Sequence, residues 1–163
     1  MGYKKILVTV DGSKHSEQAL QHVVRVAEPN AQVHILSVIA EDHVSEVASL
    51  ASALSSVAPI PPQWPALDGI SDPREGDARQ KYVAELGEWL AQADFEVTYE
   101  AKPGDVASTI LEVAKAGFDI IVMATHGRTG FAKMVLGSVA TAVLDHAPCP
   151  VLIVPAHKNT LGS

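Results

Sequence analysis

Apolar positions along the chain alternate between two rhythms. In KKILVTV (4–10) they run almost unbroken and favour β-branched residues, the pattern of a strand covered on both faces of a parallel sheet. The turn DGS follows, with Ser13 placed to cap a helix. Ala19, Leu20, Val23, Val24 and Ala27 then recur at helical spacing as far as Pro29. AQVHILSV (31–38) reads as a second strand.

The rhythm breaks over residues 39–75, which are rich in Ala and Ser and then in Pro; PIPPQWP is incompatible with the interior of a regular element. This stretch is expected to be a long, partly mobile insertion whose first half suits a short helix. Helical spacing returns in Tyr82, Leu86, Trp89 and Leu90. DFEVTYEA (94–101) alternates as a strand, and PGD makes a turn. Asp105 is placed to cap a helix whose inner face is Val106, Ile110, Val113 and Ala114, with Gly117 ending it. FDIIVMA (118–124) reads as the fourth strand and the most buried one. A glycine-containing stretch, the short helix SVATAVLDHA and the strand PVLIVP (150–155) complete the pattern.

Strands and helices in alternation predict an α/β fold: an open, five-stranded, doubly wound parallel sheet of Rossmann-like type. No repeat of 20–50 residues is visible. The 163 residues are expected to form one domain over 1–156, with 157–163 as a C-terminal tail.

Charge and composition narrow the partners. The chain carries 19 acidic against 12 basic side chains, a net −7, with no basic stripe, so nucleic acid is not expected to bind. No apolar run approaches the roughly 18–20 residues needed to span a bilayer, and no membrane partner is expected. The N-terminal apolar stretch is short and ends at Asp11, which reads as a strand and not a leader. Ile6 stands where N-myristoylation wants Ser or Thr. A single cysteine, Cys149, between two prolines, excludes an internal disulfide framework and suits a cytoplasmic setting.

In doubly wound sheets, ligands bind beyond the carboxyl ends of the strands, where strand order reverses. Two segments are expected there: VDGS after the first strand and ATHGRTG after the fourth. Gly127 and Gly130 allow main-chain N–H groups to converge on an anion. Gly137-Ser138 opens a helix whose first N–H groups and dipole favour a phosphate, and Arg128 or Lys133 adds charge. The same residues also suit an ordinary turn and helix start. There is no Gly-Lys-Ser/Thr phosphate loop and no Gly-x-Gly-x-x-Gly dinucleotide motif. Asp11 suits either the hydroxyls of a ribose or a metal, or else an Asx-turn that caps the following helix.

Taken together, Ala124-x2-Gly127-x9-Gly137-Ser138, the flanking HGRTG, LGSVA and HAPCPVLIVP, and VDGS resemble the universal stress protein family. The resemblance covers roughly 4–38 and 76–156. Ala124 replaces the first glycine of the family's ATP-binding pattern, a change that is tolerated if φ there is negative. The resemblance implies the adenine nucleotide alpha hydrolase-like topology, with strand order 3-2-1-4-5, and a homodimer. It implies the family's ATP-binding branch, with ADP or AMP as alternatives and Mg2+ held through the phosphates. By position, Asp11 would meet the ribose, main chain near Val10 and Val38 the adenine, and Gly127, Gly137, Ser138 and Val139 the phosphates. Ala124, His126, Arg128 and Gly130 complete the implied site.

No catalytic residue is assigned. A slow ATPase would need a water-positioning group beside the γ-phosphate, and His126 and Asp11 are the candidates for it. The other histidines, including His15, His22 and His34, lack metal-site spacing. Trp64 in the Pro-rich stretch suits loop packing. The apolar edge-strand candidate PVLIVP suggests a dimer contact through Val151, Leu152, Ile153 and Val154. The reading that follows is a nucleotide-binding stress-response module that acts through changes in dimer or surface. The alternatives are a slow ATPase and an interaction module that binds no nucleotide.

Overall fold

The computed structural model describes residues 1–40, 73–125 and 136–155. In them the chain runs β1 (Tyr3–Thr9), α1 (Lys14–Val26), β2 (Ala27–Ala40), α2 (Pro73–Ala91), β3 (Glu96–Gly104), α3 (Val106–Ala114), β4 (Ile120–Thr125), α4 (Ser138–His146) and β5 (Val151–Pro155). The strands form one five-stranded sheet in the order β3-β2-β1-β4-β5, with every pairing parallel. The expected α/β class and strand order are both found.

Each strand residue faces one of two covering layers, as the period of two requires. Ile6, Val8 and Val10 of β1, Val33 and Ile35 of β2 and Ile120 and Val122 of β4 meet Ala19, Leu20 and Val23 of α1 and Val83 and Leu90 of α2. The opposite faces present Leu7, Leu36, Ile121 and Met123 to Ile110 and Ala114 of α3 and to Ala140 and Val143 of α4. β1 is therefore covered on both sides, which explains its unbroken apolar run. At its start, the Asp119 carboxylate accepts the main-chain N–H groups of Lys4 and Lys5 at 3.1 and 2.9 Å. The Asp119 N–H donates to Lys5 O at 2.8 Å, so the lower ends of β1 and β4 are tied together.

The helix starts follow the expected chemistry. Ser13 accepts from Ser16 N and caps α1, and Asp105 accepts from Ser108 N and caps α3. Gly117, at φ +84°, follows α3 in the left-handed conformation that its place as a terminator requires.

Three boundaries differ from expectation. β2 begins directly after α1 at Ala27, and the register shift between Tyr3 and Lys5 takes up the irregular 28–31 stretch, where Asn30 adopts φ 60°. The PGD turn is corrected: Pro103 and Gly104 continue β3, opposite Ile39 and Ala40. Proline is tolerated because β3 lies at the sheet edge and its missing N–H breaks no ladder. α2 starts at Pro73, a residue suited to the first helical position. With β2 reaching Ala40, the expected 39–75 insertion narrows at both margins; its centre, 41–72, and the 157–163 tail lie outside the described residues. Among the described residues, no helix is long and apolar enough to cross a membrane.

Candidate functional site

The crevice follows from the strand order. β1 lies between β2 and β4, and its register with β4 pairs Val8 with Val122. Two residues beyond that pair the chain reaches Val10, just past the end of β1, and Ala124, within β4. α1 leaves β1 on one face of the sheet, while α4 packs on the other. The chain thus parts in opposite directions above neighbouring strand ends, as a topological switch point requires.

On the β1 side, a set of short-range bonds shapes the turn. Val10 is buried, and its N–H donates to Leu36 O at 3.0 Å. Asp11 is exposed. Its Oδ1 accepts from Ser13 N at 2.9 Å, so the Asx-turn weighed for this residue is present. Asp11 N donates to Ser16 Oγ at 3.2 Å, and Ser16 Oγ donates to Ser13 O at 2.8 Å. Gly12 between them has φ +87°, a left-handed conformation costly for any residue with a Cβ. The Asx-turn leaves the carboxylate at the mouth of the crevice, so capping and ligand contact are compatible roles. Val38 is half-buried at the end of β2, against the α3–α4 layer.

On the β4 side, Ala124 lies within the strand and pairs with Val154. It is not among the residues with positive φ, so its methyl group costs the main chain no strain. α4 begins at Ser138, and its N-cap, Gly137, makes no side-chain cap bond. The helix therefore starts with main-chain N–H groups that no cap side chain satisfies and with the positive end of its dipole. Gly137 and Ser138 are exposed and Val139 is half-buried. Thr141 bonds back to Gly137 O through both N–H and hydroxyl, at 3.0 Å each. His126, Gly127, Arg128, Gly130 and Lys133 lie outside the described residues, as does Trp64.

A groove of about 480 Å³ runs between α3 and α4, lined by polar Asp105, Ser108, Ser138 and His146 and by apolar Leu111 and Val139 among others. It contains two of the predicted site residues, Ser138 and Val139, but none of Val10, Asp11 and Val38. The structure therefore sets the predicted residues in two groups, one above β1 and β2 and one at the start of α4.

Sequence reasoning missed what α2 contributes. Arg79 Nη1 donates to Ser37 Oγ at 3.2 Å, satisfying a hydroxyl that is otherwise fully buried. One turn later, Tyr82 Oη donates to Glu17 Oε1 at 3.1 Å. The signal was present in the spacing: Arg79 is three residues before Tyr82 and so shares its inward face. Cys149 is half-buried, and burial, with a further push from Asp119, raises its thiol above the usual range. A raised thiol is a poor nucleophile, so the environment favours a structural role for Cys149.

The whole chain matches known proteins. Residues 2–155 match the universal stress protein family. The universal stress protein MJ0531 of Methanocaldococcus jannaschii is 33% identical over 96% of this chain and 85% of its own length. The solved structure of MJ0577 from the same organism superposes with a TM-score of 0.72, at 27% identity, over 98% of this chain and 100% of that one. A universal stress protein solved in complex with cAMP shares the fold, with a TM-score of 0.64 at 18% identity, over 96% of this chain and 100% of that one.

The α1–α2 contact carries a pH signature. Burial, followed by the Glu17 carboxylate, pushes the Tyr82 phenol up to about 12 from 10.0. The folded state holds this proton more tightly than the unfolded one, so its stabilising contribution is present below pH 10 and is lost as pH rises towards 12. Ultraviolet titration is expected to show one of the three tyrosines ionising late, and Tyr82→Phe to abolish that step. A titration in which no tyrosine ionises late would contradict the half-buried pair.

Proposed function

Because the chain belongs to the universal stress protein family, we propose that it is an adenine-nucleotide-binding module of that family's ATP-binding branch. The observation that carries this reading is the pairing of two complementary features at the carboxyl ends of neighbouring strands. One is the Asp11 carboxylate above β1; the other is the start of α4, without a side-chain cap, beyond β4. A nucleotide needs both, an acceptor for ribose hydroxyls and donors for phosphate oxygens.

In this reading, Val10 and Val38 border the adenine; the Val10 side chain is buried in the core, so its share of the site is main chain. Asp11 accepts the ribose hydroxyls. Gly137, Ser138 and Val139 donate to phosphate oxygens, alongside Ala124, His126, Gly127, Arg128 and Gly130. The residues at the α4 start fit a phosphate chemically, being N–H and hydroxyl donors at the positive end of a helix. ATP is the ligand this set favours, with ADP and AMP as shorter relatives, and Mg2+ would be held through the phosphates. The output is regulatory: an occupied crevice changes the surface, or the dimer, that a stress-response partner meets. Residues 1–156 act as one domain in the cytoplasm.

β5 is an outer strand of the sheet. Val151, Leu152 and Ile153 are half-buried within one protomer, while Val154 is already buried. A homodimer through this edge uses the first three side chains and the main chain of all four.

Calorimetry with MgATP tests the site. Asp11→Asn keeps an acceptor for the Asx-turn and loses the charge; it is expected to weaken ATP about tenfold, the loss of one charge-assisted hydrogen bond. Ala124→Gly is expected to leave the affinity within about threefold, because Ala124 sits unstrained in a strand. No heat with the wild-type protein would overturn the proposal. For the dimer, light scattering at micromolar concentration is expected to give twice the chain mass, and Ile153→Asp to halve it. A monomeric wild type would remove the edge-strand interface.

A further inference from the structure

The turn that carries Asp11 is not held by its own bonds alone. Arg79 reaches it from α2, a helix that belongs to neither β1 nor α1. A methyl group placed on Gly12 would stand 3.4 Å from Arg79 Nη1, 3.5 Å from Cζ and 3.8 Å from Nη2. The guanidinium thus lies beside the one residue of the turn with a left-handed main chain, across a gap that a methyl group would just fill. The same Nη1 donates to Ser37 Oγ, which ties the turn to the end of β2. Ser37 is fully buried and therefore a fixed anchor. One helical turn along, Tyr82 donates to Glu17 in the first turn of α1. Two successive inward residues of α2 therefore grip the two sides of the β1–α1 junction.

We infer that Arg79 is a positioning residue for the nucleotide: bonded to the end of β2, it bounds the Gly12 turn and so sets where the Asp11 carboxylate meets the ribose. This rests on reading the crevice as an adenine-nucleotide site. A planar guanidinium suits the task, because several of its atoms can lie beside the glycine while Nη1 bonds the serine. A lysine ammonium keeps the charge but has no flat face. Arg79 acts through Asp11, so its removal weakens the part of the ligand that Asp11 touches and leaves the phosphate end alone.

The test uses full-length protein with Arg79→Met, which keeps the aliphatic stem, and Arg79→Lys. Ser37→Ala serves as a second variant that removes only the anchor and leaves α2 intact. Affinities for ATP and AMP are measured by calorimetry, and the exchange rate of the Ser13 N–H, bonded to Asp11 Oδ1, by NMR on ligand-free protein. Arg79→Met is expected to weaken ATP and AMP by the same factor, about tenfold, and to speed Ser13 exchange comparably. Arg79→Lys is expected to follow Arg79→Met, and Ser37→Ala to shift all three readouts in the same direction. A greater loss for ATP than for AMP would place Arg79 on the distal phosphates and overturn the inference. So would full rescue by Lys, or unchanged affinity and exchange. If the wild-type protein binds neither nucleotide, the nucleotide reading falls. Faster Ser13 exchange in Arg79→Met would then still establish Arg79 as the holder of the turn, and unchanged exchange would refute that as well.

Discussion

The position of β1 in the sheet governs everything above it. Ile6, Leu7 and Val8 are flanked in register by Val33–Ile35 on one side and by Ile120–Val122 on the other, all parallel. A parallel neighbour cannot be reached by a tight turn, so each connection must climb over a face of the sheet. α1 and α2 cover one face, and α3 and α4 the other. The chain consequently leaves β1 and β4 in opposite directions, and the gap between their ends is a product of topology. The crevice exists before any side chain is chosen to line it. What is added to it is polarity: a side-chain carboxylate on one side, and main-chain donors from a helix start on the other.

Much of this was legible because local and long-range signals agreed. The apolar run of β1, the capping residues Ser13 and Asp105 and the terminator Gly117 each follow from short-range chemistry that tertiary packing does not contradict. The strand order was not in the periodicity; it came with the family resemblance, through the glycine pattern and VDGS. Boundaries failed where an edge relaxed the usual rules. Pro103 and Gly104 read as a turn, yet an edge strand has no partner for the missing N–H, so β3 continues through them. Asp11 was framed as either a ligand group or an Asx-turn. The geometry shows the turn, and the exposed carboxylate keeps the first role open to it. The concern over Ala124 arose from aligning it with a glycine; in space it is a strand residue paired with Val154.

The contribution of α2 was hidden for a different reason. Arg79 bonds a serine 42 residues earlier in the chain and lies over a glycine that precedes it by more than a helix and a strand. No periodicity encodes such a contact. Its consequence is that the polar rim of the crevice depends on an element outside the β1–α1 unit. A buried hydroxyl without a partner would cost roughly 1–3 kcal/mol, so Ser37 and Arg79 stand or fall together. Motion of α2 would therefore register at Asp11.

The central claim is that the β1 turn and the start of α4 are two halves of one ligand site. It is tested most directly by titrating isotope-labelled protein with MgATP and following main-chain amides by NMR. The account predicts that Asp11 and Val38 shift together with Ser138 and Val139, all fitting a single dissociation constant, while amides of β3 and of the far ends of the helices stay still. Shifts confined to one group, or two groups that saturate at different concentrations, would contradict it.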